Sequence, residues 1–181
     1  MKSQRSRLDR FIVCREGIKR SHVHQLLAQG RILLDGLAAE AMSQVVGPFT
    51  HVVLDRKVLQ AEQPRYIMLH KPPGMVSATC DEQHPTVLDL VSAPYAKALH
   101  IVGRLDFNST GLLLLTNDGR WSRGVSSPQR GVVKTYRVQL EQPFRSDYIE
   151  AFAAGLYFAF ENITTRPAEI RRLSDFEVEL D

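Results

Sequence analysis

The sequence has little of what would place it in an extracellular, membrane or metal-centred class. It holds two cysteines, Cys14 and Cys80. Two lone thiols far apart make no disulfide framework, so a reducing, cytoplasmic location is expected. No run reaches the roughly 18 apolar residues that a membrane helix needs, and no membrane span is expected. The start, Met1-Lys2-Ser3-Gln4-Arg5, is basic but lacks the apolar stretch of a secretory signal. His22-x-His24 is the only close histidine pair, and no Cys–His spacing of the zinc type occurs, so no metal is expected. A Gly-x-Ser-x-Gly elbow, paired carboxylates in one motif and a phosphate-cradling glycine loop are all missing, which argues against a hydrolase.

What is present suffices for a folded core. The chain has 181 residues, of which 44% are hydrophobic, enough for one medium domain or two small ones. The net charge of +3 is unevenly spread. Lys2, Arg5, Arg7, Arg10, Arg15, Lys19, Arg20 and Arg31 face only Asp9 and Glu16 over residues 1–31, so this segment carries +6 and the remainder −3. A basic front end on a near-neutral body fits a polyanion partner such as nucleic acid, the alternative being a solvated basic face.

The front end reads as two short helices and a hairpin. Leu8, Phe11 and Ile12 recur at helical spacing, and Gly17 can end that helix. Ser21 is a candidate N-cap for a second helix with Val23, Leu26 and Leu27 on its apolar face, stopped by Gly30. Arg31-Ile32-Leu33-Leu34 reads as a strand, Asp35-Gly36 as a two-residue hairpin turn, and His51-Val52-Val53-Leu54 as a further strand. Residues 55–64 turn polar and end at Pro64, so the domain boundary is placed there, with a linker over 61–64. Beyond it, Arg65 to His70 is strand-like and Lys71-Pro72-Pro73-Gly74 forces an extended stretch and a turn. Thr86 to Val91 is a short helix or strand. Gly111-Leu112-Leu113-Leu114-Leu115-Thr116 is an apolar run bounded by Asn117-Asp118-Gly119 and reads as a buried strand. Lys134 to Leu140 and Phe176 to Leu180 read as strands, and Ser146 to Leu156 as a helix with Ile149, Phe152 and Ala153 on its apolar face. The mixture predicts an α+β fold with a mostly antiparallel sheet.

The chemistry-bearing segment is His100-Ile101-Val102-Gly103-Arg104-Leu105-Asp106-Phe107-Asn108-Ser109-Thr110-Gly111, polar and glycine positions placed directly before a buried strand. Arg104 and Asp106 are two apart and share a face of an extended chain. By themselves they fit either a site or a local ion pair closing a turn.

Gly103-Arg104-Leu105-Asp106, two residues, then Ser109-Thr110-Gly111 with its leucine run, Thr116 and Asp118-Gly119, resembles the signature of the RsuA branch of RNA pseudouridine synthases. Leu69 to Gly74 resembles that family's first motif, and Lys134-Thr135-Tyr136 its short third motif. His84-Pro85-Thr86-Val87-Leu88, with Trp121-Ser122 and Ser126-Ser127-Pro128, resembles the group acting on small-subunit rRNA. Arg7 to Ile12, Lys19-Arg20-Ser21, Gln29 to Ile32 and Asp35-Gly36 resemble the small RNA-binding module of the ribosomal-protein-S-four type.

The resemblance implies an S-four-like module over 1–60, the 61–64 linker, and a pseudouridine synthase catalytic domain over 65–181. It implies Asp106 as the catalytic carboxylate, held in a dry pocket. Arg104 would fill the gap left by the extruded base or grip the nearby backbone, and Tyr136 would stack on the target base, its alternative being a core tyrosine. Lys19, Arg20, Ser21 and Arg31 become candidate phosphate contacts. Lys71 and Lys134 become RNA-facing cations, or else plain surface lysines. The expected partner is 16S rRNA or a small-subunit assembly intermediate, the target uridine 516, the state monomeric, and the reaction free of cofactor. In that family the last strand, here Phe176 to Leu180, continues into a basic helix that pairs with the catalytic carboxylate. Its expected absence would lower or abolish activity and expose apolar strand surface. The alternative reading is an RNA-binding protein with an inactive synthase body.

Overall fold

The computed structural model describes residues 5–160 and 162–181. The fold is α+β, and all pairings between its strands are antiparallel. Two compact units divide it, Met1–Ser127 and Pro128–Asp181.

The first unit opens with β1 (Ser6–Arg7), which runs straight into α1 (Leu8–Glu16). Gly17 closes α1 in the left-handed conformation at φ 67°, its N–H donating to Val13. The next helix, α2 (Arg20–Ala28), is capped by Lys19 in extended geometry, without a side-chain bond. Ser21, expected as the cap, lies inside the first turn. Strands β2 (Ile32–Leu34) and β3 (Leu37–Ala38) form the expected hairpin. Asp35 (φ 50°) and Gly36 (φ 87°) both take positive φ, as a type I′ turn requires. Strand β4 (Val45–Val46) pairs with β1.

Strands β5 (Val52–Leu54) and β6 (Lys57–Gln60) complete a four-stranded sheet, β3-β2-β5-β6. Strand β6 lies in what the sequence reading took as a polar run toward the linker. Its entry turn is Asp55-Arg56, two non-glycine residues at φ 50° and 69°. Such a turn is costly for residues carrying a Cβ. Here Arg31 holds it, its guanidinium gripping both Asp55 oxygens at 2.5 Å. Leu8, Ile12, Val23, Leu26, Ile32, Val46, Val52 and Leu54 are buried together in one core. Each such side chain contributes about 1.5–3 kcal/mol by leaving water.

Residues 61–65 have no regular structure. They are tied down by Asn117, whose side chain accepts from Arg65 N–H at 2.8 Å and donates to the Gln63 carbonyl at 2.9 Å. A second core then forms around β7 (Tyr66–Lys71), β8 (His100–Val102) and β9 (Gly111–Thr116), in the order β7-β9-β8. Met75, Val87, Leu99, Leu113 and Leu115 are its buried residues. The expected fully buried run in β9 is half right, since Leu112 points to the other face and is 63% exposed. Thr86 to Val91 resolves into a single 3-10 turn with a Thr86–Asp89 capping box. A helix the sequence reading missed, α3 (Gly119–Ser126), starts at Asp118, whose carboxylate accepts from Arg120 and Trp121 N–H. No helix among the described residues is long and apolar enough to cross a membrane.

The second unit contains β10 (Tyr136–Gln139), α4 (Asp147–Ala154), β11 (Tyr157–Phe158), β12 (Ile163–Thr164), β13 (Ile170–Arg172) and β14 (Glu177–Leu180). The sheet order is β10-β14-β13, with β11-β12 as a separate hairpin. The short strands β11 to β13 carried no clear period-two signal. Ile149, expected on the buried face of α4, is 52% exposed. Ile170 and Val178 are the buried apolar residues of this unit among those described.

Two carboxylates of the first core titrate below their ordinary value of 3.8. Burial raises Asp9, but the Arg10 N–H and the Arg7 and Arg20 guanidiniums outweigh it. The Arg31 hydrogen bonds lower Asp55 against a smaller opposing effect of burial. A carboxylate with a lowered folded-state pKa binds fewer protons than its unfolded form, so stability is complete above the ordinary value and lost as pH falls through the folded one. The melting temperature of the chain should therefore hold steady from neutral pH to about 5 and drop as pH is taken below about 4. The Asp9→Asn/Asp55→Asn double variant, measured by the same thermal scans, should start lower and lose less.

Candidate active site

Asp106 lies in the loop between β8 and β9, over residues 103–110, held from three directions. The first is Lys71, the last residue of β7 and fully buried. Its ammonium donates to the carbonyls of Pro72 (3.1 Å), Asp106 (2.9 Å), Phe107 (3.0 Å) and Ser109 (2.9 Å). Three N–H groups are thus shared among four acceptors, three of them on the Asp106 loop. The second is Ser77, whose hydroxyl donates to the Leu105 carbonyl (2.7 Å) and accepts from the Leu105 N–H (3.1 Å). The third is the Gly74 N–H, which donates to the Phe107 carbonyl at 2.9 Å. Gly74 and Gly103 take φ 78° and 88°, which lets both chains turn sharply where they meet.

The loop thereby spends its backbone carbonyls inward and turns side chains outward. Arg104, Asp106 and Asn108 are exposed. Arg104 and Asp106 make no ion pair with each other, so the reading of this motif as a local charge pair closing a turn fails. Within the first unit, no described side chain bonds the Asp106 carboxylate. The carboxylate is open to solvent, not enclosed in a dry pocket. Phe107 meets His84 edge to face at 5.1 Å, and His84 Nδ1 lies 3.2 Å from Asp81 Oδ1. The His84-Pro85-Thr86 stretch thus borders the Asp106 loop.

Lys71 requires a correction. It was expected to face RNA, yet its ammonium is buried among carbonyls and has no surface to offer. Burying a lone ammonium costs several kcal/mol, and hydrogen bonds from a charged donor return about 1.5–3 kcal/mol each. Arg31 binds Asp55 through its fork and Gln29 through its third nitrogen at 3.0 Å, while its side chain stays 44% exposed. Lys19 and Ser21 are exposed at the start of α2, and Arg20 reaches Asp9 at 2.9 Å. Tyr136 and Lys134 belong to the second unit. Tyr136 is 42% exposed at the head of β10, opposite Leu180, and Lys134 is exposed just before that strand. Sequence reasoning missed Ser77 altogether; one serine in a polar stretch carries no signal of a partner 28 residues away.

Replacing Lys71 by methionine keeps most of the side chain's length but removes the donor of the Ser109 carbonyl and one of the donors of Asp106 and Phe107. The variant should lose about 2–4 kcal/mol of stability in denaturant titration. Amide exchange should speed up across residues 103–110. A variant within about 0.5 kcal/mol of the parent would remove the clamp from the account.

Residues 65–172 match the family model described as RNA pseudouridylate synthase. The chain is 48% identical over 165 residues to the ribosomal small subunit pseudouridine synthase A of Pseudomonas aeruginosa, covering 91% of this chain and 72% of that protein. It is 39% identical over 175 residues to the protein of the same name from Escherichia coli K12, covering 96% and 76%. A solved structure described as a pseudouridylate synthase superposes with a TM-score of 0.62 at 34% identity, over 96% of this chain and 75% of that one. With the motif-bearing loop, the antiparallel sheet behind it and these relatives in agreement, the chain belongs to the RNA pseudouridylate synthase family, in its RsuA-type branch.

Proposed function

We propose that the chain converts a specific uridine of small-subunit rRNA, uridine 516 of 16S rRNA, to pseudouridine, with Asp106 as the catalytic carboxylate. The observation that carries this reading is the Asp106 loop. Its backbone is pinned by Lys71, Ser77 and Gly74, while its carboxylate stays exposed and unbonded within its unit. A carboxylate held by its main chain and left free at its oxygens is arranged to act on something that arrives. The names of the relatives supply the substrate class.

The reaction asks for little else. The bond from ribose C1′ to uracil N1 breaks, the base turns, and C1′ joins C5. The proton leaves C5, and N1 takes one up. Nothing is oxidised and no group is imported. One ionised carboxylate serves as nucleophile or base. Because Asp106 is exposed in the free chain, bound RNA has to complete the enclosure that keeps the detached uracil from escaping. Arg104, exposed two residues before it, occupies the space vacated by the flipped base, whose extrusion costs a few kcal/mol. Tyr136 stacks on that base. Lys134 beside it and the basic front module, acting like an S-four domain over 1–60, hold the RNA backbone.

A second reading, an RNA-binding protein with an inactive synthase body, draws on the same carboxylate: within its unit, no described cation pairs with the Asp106 carboxylate oxygens. Tritium release from 5-labelled uridine in 16S rRNA separates the two. The proposal expects release by the chain and none by Asp106→Asn, with RNA affinity changed less than about threefold, since only transition-state contacts are removed. Full turnover by Asp106→Asn would end the assignment. Absence of release by the unaltered chain, with RNA binding intact, would establish the second reading.

A further inference from the structure

The front-end arginines form the basic face expected to meet a polyanion. The structure sets two of their guanidiniums, those of Arg7 and Arg20, and the backbone N–H of Arg10 on one carboxylate. Asp9, in the first turn of α1, is 3% exposed. Its Oδ1 accepts from the Arg10 N–H (2.8 Å) and Arg7 Nε (3.2 Å), and its Oδ2 from Arg7 Nη2 (3.1 Å). Arg20 Nη2 lies 2.9 Å from the same Oδ2. Arg7 enters from the end of β1 and Arg20 from the start of α2, so the carboxylate ties two elements that are not neighbours in sequence. A concavity of about 240 Å³ opens over this group, lined by Arg7, Asp9, Arg10, Val13 and Arg20.

A buried anion that saturates its lone pairs on guanidiniums fixes their orientation. Each guanidinium has five N–H donors. Arg7 spends two on Asp9, and Arg20 places one nitrogen against it. Their remaining donors stay accessible, the two side chains being 48% and 65% exposed. Three arginines and one carboxylate line the concavity, an excess of two positive charges. That combination of forked donors and residual charge suits a tetrahedral anion.

We propose that Arg7 and Arg20, set on the buried Asp9, form with the neighbouring Arg10 a binding site for one backbone phosphate of the RNA, with Asp9 as the positioning residue of the first two. This rests on the reading of the front module as RNA-binding. It also makes a prediction opposite to simple electrostatics. Removing a negative charge from a face that binds a polyanion ought to tighten binding. If Asp9 aims the arginines, removing it loosens binding instead.

The test uses the full chain and a 16S rRNA transcript, with affinity measured by filter binding across a salt series. Asp9→Asn should bind about fivefold or more weakly despite its extra positive charge, and lose about one unit of the log–log salt slope, the signature of one lost phosphate contact. Equal or tighter binding by a folded Asp9→Asn chain overturns the proposal. Should that variant unfold, the Arg7→Lys/Arg20→Lys double variant decides. It conserves charge and loses only the forks, so weaker binding supports the site and unchanged binding overturns it. Competition separates the sources of anion: at matched ionic strength, inorganic phosphate should displace RNA from the parent more than from the double variant. No RNA binding by the unaltered chain would overturn the RNA reading of the module together with this site. Binding by the parent with unchanged variants would overturn the site alone.

Discussion

The buried ammonium of Lys71 is the constraint on which the catalytic half of the first unit depends. Strand β7 delivers it to the rear of the Asp106 loop, where Lys71 pairs in register with Gly111, the first residue of β9. From there it gathers the carbonyls of Asp106, Phe107 and Ser109, adding to the Ser109 N–H on the first and the Gly74 N–H on the second. A buried cation without a carboxylate partner is tolerable only if dipoles surround it, and a loop with carbonyls turned inward is tolerable only if a donor awaits them. Each feature requires the other. The outward face of the loop is the by-product: with its backbone spent on Lys71 and Ser77, its side chains at Arg104, Asp106 and Asn108 are left to solvent and substrate.

This arrangement was partly legible in the residue pattern. Ile67, Leu69 and Lys71 share one face of a strand with period two, and the first two pack against the second core. By parity alone Lys71 belongs inside. Its charge argued the other way, since lysine is almost never fully buried unless paired. Knowing which argument wins requires knowing that four carbonyls wait at the strand's end, and they come from residues up to 38 positions away. Local turn chemistry was far easier to read: Asp35-Gly36 and Gly17 act through their own backbone. The Asp55-Arg56 turn escaped because its support, Arg31, is 24 residues distant. Helix α3 left a fainter trace, an Asp118 cap followed by Trp121 and Val125 four apart. The motif of Asp106 identified the family, yet said nothing of Ser77 or of the carboxylate's exposure.

Lys71 and Asp9 are the same device with opposite sign. In each, a charge taken out of water is saturated by several partners, and those partners are thereby aimed elsewhere. Lys71 orients a loop that bears a carboxylate. Asp9 orients guanidiniums that face a concavity. The burial costs free energy in both cases, and what it returns is geometry, a use of buried charge that stability alone would not favour.

Charge counting along the chain therefore overstates the surface available to RNA. Arg31 stabilises a strained hairpin turn, and Lys71 is enclosed. Lys57 pairs with Glu16 at 3.0 Å. What remains at the front includes Lys19 at the head of α2, the exposed Arg5, Arg10 and Arg15, and the outer edges of Arg7 and Arg20. Two of those groups, Arg7 and Arg20, are guanidiniums oriented by Asp9, so their contribution to binding is directional more than additive. A module of this kind positions a nucleic acid by where a few phosphates must sit. That suits the role proposed for Asp106, whose loop is pinned along its backbone.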